Sequence, residues 1–430
     1  MRLVKRSAIL GAMRIFLLST ILSILLIGCA TPTPMSTSTA LPVPPATETE
    51  SVATITLDTP PIAEVSPAVT SEIFVPLLPG GGQLPTPTSS PTTEPALAPQ
   101  AEATTEPPPP VPTSTPYVSF IPDYTPRSEL GPSKMGIHVA RPNSPAIMEF
   151  VRAAQPAVVK GVDDLGFLAE VKAVSPRTVT IGRFSVDPQD YNGEPEAVAA
   201  ALVARQLPQM LLHPAVDYWE GWNEPDPNLD RMDWYARCEA ERVRQLAQHG
   251  LRAAVGGFST GVPELDEFVL FVPAIEAAKA HGGILTLHEY AAPDLTFLFG
   301  DSLPGFPAYP DRGPLMFRYR WFYRDVLEPR GLVVPLVISE AGIDGIIGNR
   351  PGPDGLGWQD FQSFWVEQGW GPDGPTAYLN QLQWVDNEAR QDPYVIGYTL
   401  FTAGGGGAWP SYELAPFLPR LAEYIVSQTP

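Results

Sequence analysis

From Lys134 onward, short apolar runs of strand length alternate with stretches of helical spacing. The runs are KMGIHV (134–139), AVVKGV (157–162), TVTIGRF (178–184), VDYWEGWNE (216–224), RAAVGGFS (252–259), GILTLHEY (283–290), VPLVISEAG (334–342) and YVIGYTLF (394–401). Between them lies room for helices, as in PEAVAAALVARQL (195–207), ELDEFVLFVPAIEAAKAH (264–281) and GPTAYLNQLQWVDNEARQ (374–391). Eight strands joined by helical crossovers predict an α/β fold of the (β/α)8 type, a TIM barrel, over residues 131–430. The alternative is a doubly wound open sheet. The count of eight and the lack of a GxGxxG turn count against it. No sequence repeat is visible beyond the alternation itself.

The first third follows another pattern. Residues 1–28 open with Arg2, Lys5 and Arg6 and run into IFLLSTILSILLIG, the basic and apolar regions of a secretory signal. The run ends in Leu26-Ile27-Gly28-Cys29, which resembles the bacterial lipoprotein lipobox, cleaved before a cysteine whose thiol is then lipidated. An uncleaved transmembrane anchor is the other reading of the same apolar length. Residues 29–126 are predicted to be a disordered tether. The stretch from Ala30 to Pro126 is rich in Pro, Thr, Ser, Ala and Glu and contains no Lys or Arg. Such a composition buries too little apolar surface to offset backbone ordering, and its prolines favour extended polyproline II. The apolar island from Glu72 to Gly82 is too short to fold alone. Together these features predict a cell-surface, extracytoplasmic protein held to the membrane by lipid on Cys29.

Composition sharpens this division. All nine Trp lie beyond Asp217, so the packing material is in the C-terminal part. The formal net charge of −20 excludes nucleic acid as an expected partner. The second of the two cysteines, Cys238, lies in a helical stretch and is expected to be a packed thiol.

In a (β/α)8 barrel the chemistry sits at the C-terminal strand ends. Polar residues collect there in this sequence. Strand one ends near His138, strand two carries Lys160 and runs into Asp163 and Asp164, and strand three ends in Arg183. Strand four ends in Trp222-Asn223-Glu224-Pro225, strand six in His288-Glu289-Tyr290 and strand seven in Ser339-Glu340. Glycoside hydrolysis needs one carboxylic acid to protonate the leaving oxygen and one carboxylate to attack the sugar or activate water. In retaining enzymes the two are about 5–5.5 Å apart.

Asn223-Glu224-Pro225, Ile338-Ser339-Glu340 and the pair His288 and Tyr290 resemble clan A of the glycoside hydrolases, with cellulase-like, xylosidase-like and β-1,3-glucanase-like families. The resemblance spans about the last 300 residues. It implies a retaining enzyme working through a glycosyl-enzyme intermediate, with Glu224 as general acid/base and Glu340 as nucleophile. It also implies that Asn223 bonds the sugar 2-hydroxyl, that Tyr290 hydrogen-bonds the nucleophile and that His288 lines the site near the acid/base. The sequence departs from the clan in two places. Lys160 stands on strand two where an Arg is common, with Arg183 as a candidate replacement. Phe401 stands near the end of strand eight where a Trp is common, with Trp409 following the Gly run.

The remaining candidates divide by position. His138 is expected in the site. His213, His249 and His281 fall at predicted helix ends, where a cationic ring suits the dipole. One of Trp219 and Trp222 is expected to pack, and Trp222 is carried forward as the sugar-binding candidate. Trp358, Trp365 and Trp370 either line a cleft or fill the core. Asp226 and Asp344 are expected to be turn residues. No His-x-His or His-Glu-x-x-His pairing appears, so no metal and no cofactor is expected. The expected partner is a carbohydrate and the expected state a monomer. A non-catalytic carbohydrate-binding lipoprotein and a cell-wall transglycosylase are the alternative functions.

Overall fold

The computed structural model describes residues 131–185 and 188–428. The signal, Cys29 and the tether lie outside the described residues. The chain runs β1 (Met135–Val139), α1 (Pro145–Ala154), β2 (Val158–Val162), α2 (Leu168–Val174), β3 (Val179–Arg183), α3 (Pro195–Met210) and β4 (Tyr218–Glu220). It continues through α4 (Asn228–Gln248), β5 (Ala253–Phe258), α5 (Leu265–Ala280), β6 (Ile284–Ala291), α6 (Tyr319–Phe322) and β7 (Leu336–Ile343). The last elements are α7 (Gln362–Glu367), α8 (Gly374–Ala389), β8 (Val395–Ala403) and α9 (Leu418–Ser427). All neighbouring strands pair in parallel, and β8 closes on β1. The fold is the (β/α)8 barrel.

Helix starts follow local chemistry. Ser144 precedes Pro145 at the start of α1 and accepts from the Ala146 amide, and Asp373 accepts from the Thr376 amide at the start of α8. In α4 the buried residues Met232, Tyr235, Ala236, Val243 and Leu246 recur at three- and four-residue spacing, the stripe that faces the sheet. Each such side chain contributes roughly 1.5–3 kcal/mol when fully buried.

That stripe also carries an ion pair. Arg242 and Glu239, both buried, meet through two hydrogen bonds of 2.6 and 2.7 Å. Arg242 also donates to the Trp219 and Ala254 carbonyls at 3.1 and 2.7 Å, tying α4 to β4 and β5. A Cβ on Gly221 would come within 2.9 Å of this pair, so only glycine lets the strand end approach it.

The barrel interior has a lower and an upper level. Below, Val158, Ile181, Ala254, Ile284 and Val337 form a small aliphatic cluster separate from the main core, each at most 1% exposed. Above, on the same faces of β2, β3, β4 and β6, stand Lys160, Arg183, Glu220 and His288. The lower level closes the barrel with hydrocarbon, and the upper level is charged.

Candidate active site

Register brings the upper residues together. His138 of β1 lies opposite Lys160 of β2, and His288 of β6 lies opposite Glu340 of β7. Glu340 is buried and gathers polar groups on both oxygens. Its Oε1 is 2.9 Å from Lys160 Nζ, 3.7 Å from His138 Nε2 and 3.8 Å from Arg183 Nη2. Its Oε2 accepts from the Tyr290 hydroxyl at 3.1 Å and lies 3.6 Å from His288 Nδ1. Burial pushes the Glu340 carboxyl up, but His288 and the Lys160 and Arg183 cations outweigh it and hold the group well below the usual range. Burial and the neighbouring carboxylates push the Tyr290 hydroxyl well above its ordinary value, so it stays a donor to the anion. Burial drives His138 down to about 3, leaving a neutral ring whose Nδ1 is 2.7 Å from the Thr402 hydroxyl.

Glu224 is more open than Glu340. The sequence expectation of a strand over 216–224 is corrected here: β4 is only Tyr218–Glu220, and Glu224 stands four residues past it. The chain leaves the sheet at Gly221, where α4 presses close, and rejoins it through the Glu224 amide, which donates to the Gly257 carbonyl at 2.9 Å. Glu224 has a left-handed backbone, φ 46°, uncommon for a residue with a Cβ and costing of order 1–3 kcal/mol. Its Oε1 lies 3.0 Å from both Ser259 Oγ and His288 Nδ1. One side-chain atom each from Glu224, His288 and Glu340 falls within a mutual span of 4.8 Å, so the two carboxylates approach to that distance or less.

Three such donors resemble a cation site in kind. The charges argue otherwise, because Lys160 and Arg183 already face Glu340 and a metal ion would be added beside two fixed cations.

The other candidates separate clearly. Arg183 is 8% exposed, reaches Glu340 only at 3.8 Å and leaves its Nε without a hydrogen-bond partner. Asn223 sits beside Glu224 with its buried Oδ1 unpartnered, while its carbonyl accepts from Gln189. Trp222 is a correction. Its ring is 7% exposed and stacks on Trp234 and Tyr235 with Tyr191 at its edge, so it offers no open face to a sugar. Trp219 is wholly buried against Phe184. Trp409 is half-buried, edge-on to Phe401 and Tyr412, and Phe401 in turn packs on His138 and Tyr290. Trp358 and Trp365 are core residues stacked on Tyr378. Asp344 accepts from the Ile346 amide, as a turn residue does. It also accepts from the Tyr412 hydroxyl at 2.9 Å, and burial raises it to about 6.

Sequence reasoning missed Glu220, Ser259 and Thr402. The signal for Glu220 was Lys160: a lysine inside an apolar strand requires a buried anion, and Glu220 is at the matching depth of β4.

No protein-family model matches the chain, and no curated protein matches it. Among solved structures, an endo-1,4-beta-D-mannanase from Thermotoga petrophila RKU-1 is similar at 11% identity and a TM-score of 0.37, covering 69% of this chain and 99% of that one. Saccharomyces cerevisiae Gas2p in complex with laminaripentaose is similar at 11% identity and 0.37, covering 70% and 66%. A GH5-4 broad specificity endoglucanase from an uncultured bacterium gives 10% and 0.36, covering 72% and 98%. Likenesses at this level of identity and TM-score assign nothing to this chain. The barrel assignment rests on its own strand pairing.

Proposed function

We propose that residues 131–428 form a retaining glycoside hydrolase acting on a polysaccharide or oligosaccharide, with Glu224 as acid/base and Glu340 as nucleophile. The observation that carries this reading is the approach of the two carboxylates to 4.8 Å or less across the barrel mouth. Retaining enzymes hold theirs about 5–5.5 Å apart, whereas inverting enzymes leave about 6.5–9.5 Å for a water. The unequal surroundings support the division of roles. Glu340 is buried among positive groups and kept anionic, as a nucleophile must be. Glu224 is partly open, with a side chain 21% exposed, and can exchange protons with a leaving group and then with water. Tyr290 holds one oxygen of the anion and Lys160 the other.

The reaction then proceeds in two displacements. A Glu340 oxygen bonds the anomeric carbon as the glycosidic bond breaks and Glu224 gives its proton to the leaving oxygen. Water, deprotonated by Glu224, then attacks the same carbon and frees Glu340. A panel of aryl glycosides and defined oligosaccharides, with NMR of the first-formed anomer, tests this. Retention is expected, together with loss of turnover in Glu340→Ala and its recovery with azide. Inversion, or full activity in Glu340→Ala, overturns it.

The reading includes a lipid tether at Cys29, supported by the sequence around it. The wild-type chain is expected in the membrane fraction and Cys29→Ser in the soluble one; equal partitioning of both refutes the anchor.

A further inference from the structure

Lys160 has two carboxylate partners. Its Nζ lies 2.9 Å from Glu340 Oε1 and 2.8 Å from Glu220 Oε2, and the Lys160 and Glu220 side chains are 0% and 3% exposed. Glu220 comes from β4, four residues before the acid/base. It makes no hydrogen bond that stitches backbone together: its other oxygen, Oε1, is buried and without a hydrogen-bond partner among the described residues. Among the described residues its one ion pair within 4 Å is with the Lys160 ammonium, with the Arg183 and His288 charges acting from further off.

The two carboxylates differ in what the reaction does to them. Under the double displacement proposed above, on which this inference rests, Glu340 is an anion in the free enzyme and a neutral ester in the intermediate. Lys160 therefore loses one of its two counter-charges each time the intermediate forms. Glu220 does not react. It leaves the ammonium, itself 0% exposed, paired at the stage where it would otherwise stand uncompensated.

We propose that Glu220 is a positioning residue that keeps Lys160 paired while Glu340 cycles between carboxylate and ester, and so sets the balance between the two displacements. The Glu340–anomeric carbon bond formed in the first step is the one broken in the second. Glu220 exchanges no atom in either. Burial pushes the Glu220 carboxyl up, yet Lys160 and Arg183 bring it down to about 2, in keeping with a permanent anion.

The direction of the effect follows. Without the Glu220 charge, the intermediate is raised relative to the free enzyme. Its formation slows, and its breakdown, which restores the Glu340 anion to Lys160, does not. In the full-length chain, Glu220→Gln is expected to lower kcat/KM for an unactivated aryl glycoside by ~10- to 100-fold, the scale of one charged hydrogen bond. The kcat for a dinitrophenyl glycoside, where breakdown of the intermediate is limiting, is expected to hold or rise. Glu220→Asp keeps the charge and restores most of kcat/KM. A proportional fall in both parameters, or no change in either, overturns the proposal. Should Glu220→Gln not fold, Glu220→Asp must show the same split at smaller size.

A second measurement needs no turnover. The chain has only five lysines (Lys5, Lys134, Lys160, Lys172 and Lys279), so a nitrogen-15 lysine ammonium spectrum is sparse and Lys160→Met assigns its resonance. In a Glu340→Gln background, where the nucleophile position is neutral as it is in the ester, the Lys160 ammonium is expected to be protected from proton exchange and to lose that protection when Glu220→Gln is added. Unchanged protection refutes the role of Glu220 even in an active enzyme. If the wild type cleaves no glycoside, the hydrolase reading fails while the ammonium resonance still decides whether Glu220 holds Lys160.

Discussion

Glu289 and Glu340 are buried carboxyl groups on adjacent strands, one position apart in register, shifted in opposite directions. Glu340 faces the barrel mouth, where His288, Lys160 and Arg183 hold it well below the ordinary range. Glu289 points the other way, between β6 and the segment entering α6. It accepts from the Phe317 and Tyr319 amides at 2.8 and 3.1 Å and from the Tyr398 hydroxyl at 3.3 Å. Burial still raises it to about 7. The difference teaches that two amides, a hydroxyl and the single Arg320 charge do not offset desolvation at Glu289, whereas His288, Lys160, His138 and Arg183 together do at Glu340. It also separates the carboxyl proposed as nucleophile from one that accepts loop amides.

The sharpest way to break this contrast is to neutralise each carboxyl in turn. Glu340→Gln is expected to lower kcat/KM by ~10⁴-fold or more, the scale of losing a nucleophile. Glu289→Gln is expected to leave turnover at the wild-type level. Comparable losses from the two would erase the distinction.

Next in size is the ion pair that shapes β4. Arg242→Met leaves Glu239 buried without its partner, and urea unfolding is expected to show a loss of about 3–5 kcal/mol. A loss below 1 kcal/mol would mean that the helix stripe alone holds α4 in place.

Tyr290→Phe removes one donor from the Glu340 anion. Turnover is expected to fall ~10- to 100-fold, in line with a hydrogen bond to a charged group. The acid limb of kcat/KM is expected to move to higher pH, because the anion has lost a stabilising donor. An unmoved limb assigns the ionisation to another group.

The smallest effect concerns stability against pH. In the fold Glu289 titrates at about 7, and in the unfolded chain at ~4.3. Between those values the native state holds a proton that the unfolded chain releases, so this contribution is full below ~4.3 and is lost as pH rises through about 7. Glu340 has the opposite sign: its contribution is present above the ordinary carboxylate range and is lost as pH falls well below it. The melting temperature is therefore expected to drop between pH 5 and 8 by on the order of a few °C. Glu289→Gln is expected to flatten that drop, and an unchanged slope would remove Glu289 as its cause.

The fold was legible because eight apolar runs needed only their spacing to be recognised, and seven of them match observed strands to within two residues. The exception is instructive. VDYWEGWNE reads as one long strand, but Arg242 and Glu239 press against Gly221, and pairing ends at Glu220. Helix packing, invisible in a strand's own sequence, set that boundary. The two motif glutamates stood out through Asn223-Glu224-Pro225 and Ile338-Ser339-Glu340, and the structure brings their carboxylates within 4.8 Å of each other. Trp222 was misplaced because an aromatic beside a motif looks the same whether it faces a cleft or the α4 aromatics. Glu220 went unread because it is a partner: its meaning depends on Lys160, sixty residues earlier.

The aliphatic lower level has a kinetic consequence. Val158, Ile181, Ala254, Ile284 and Val337, each at most 1% exposed, pack together beneath the charged level and fill that part of the barrel with hydrocarbon. Under the proposed double displacement, whatever resolves the glycosyl ester comes in from the barrel mouth, by the path the departing group has just vacated. Water and a second sugar hydroxyl are then rivals for one approach. The ratio of hydrolysis to transfer becomes a matter of how long the first product lingers and how crowded with acceptors the surroundings are.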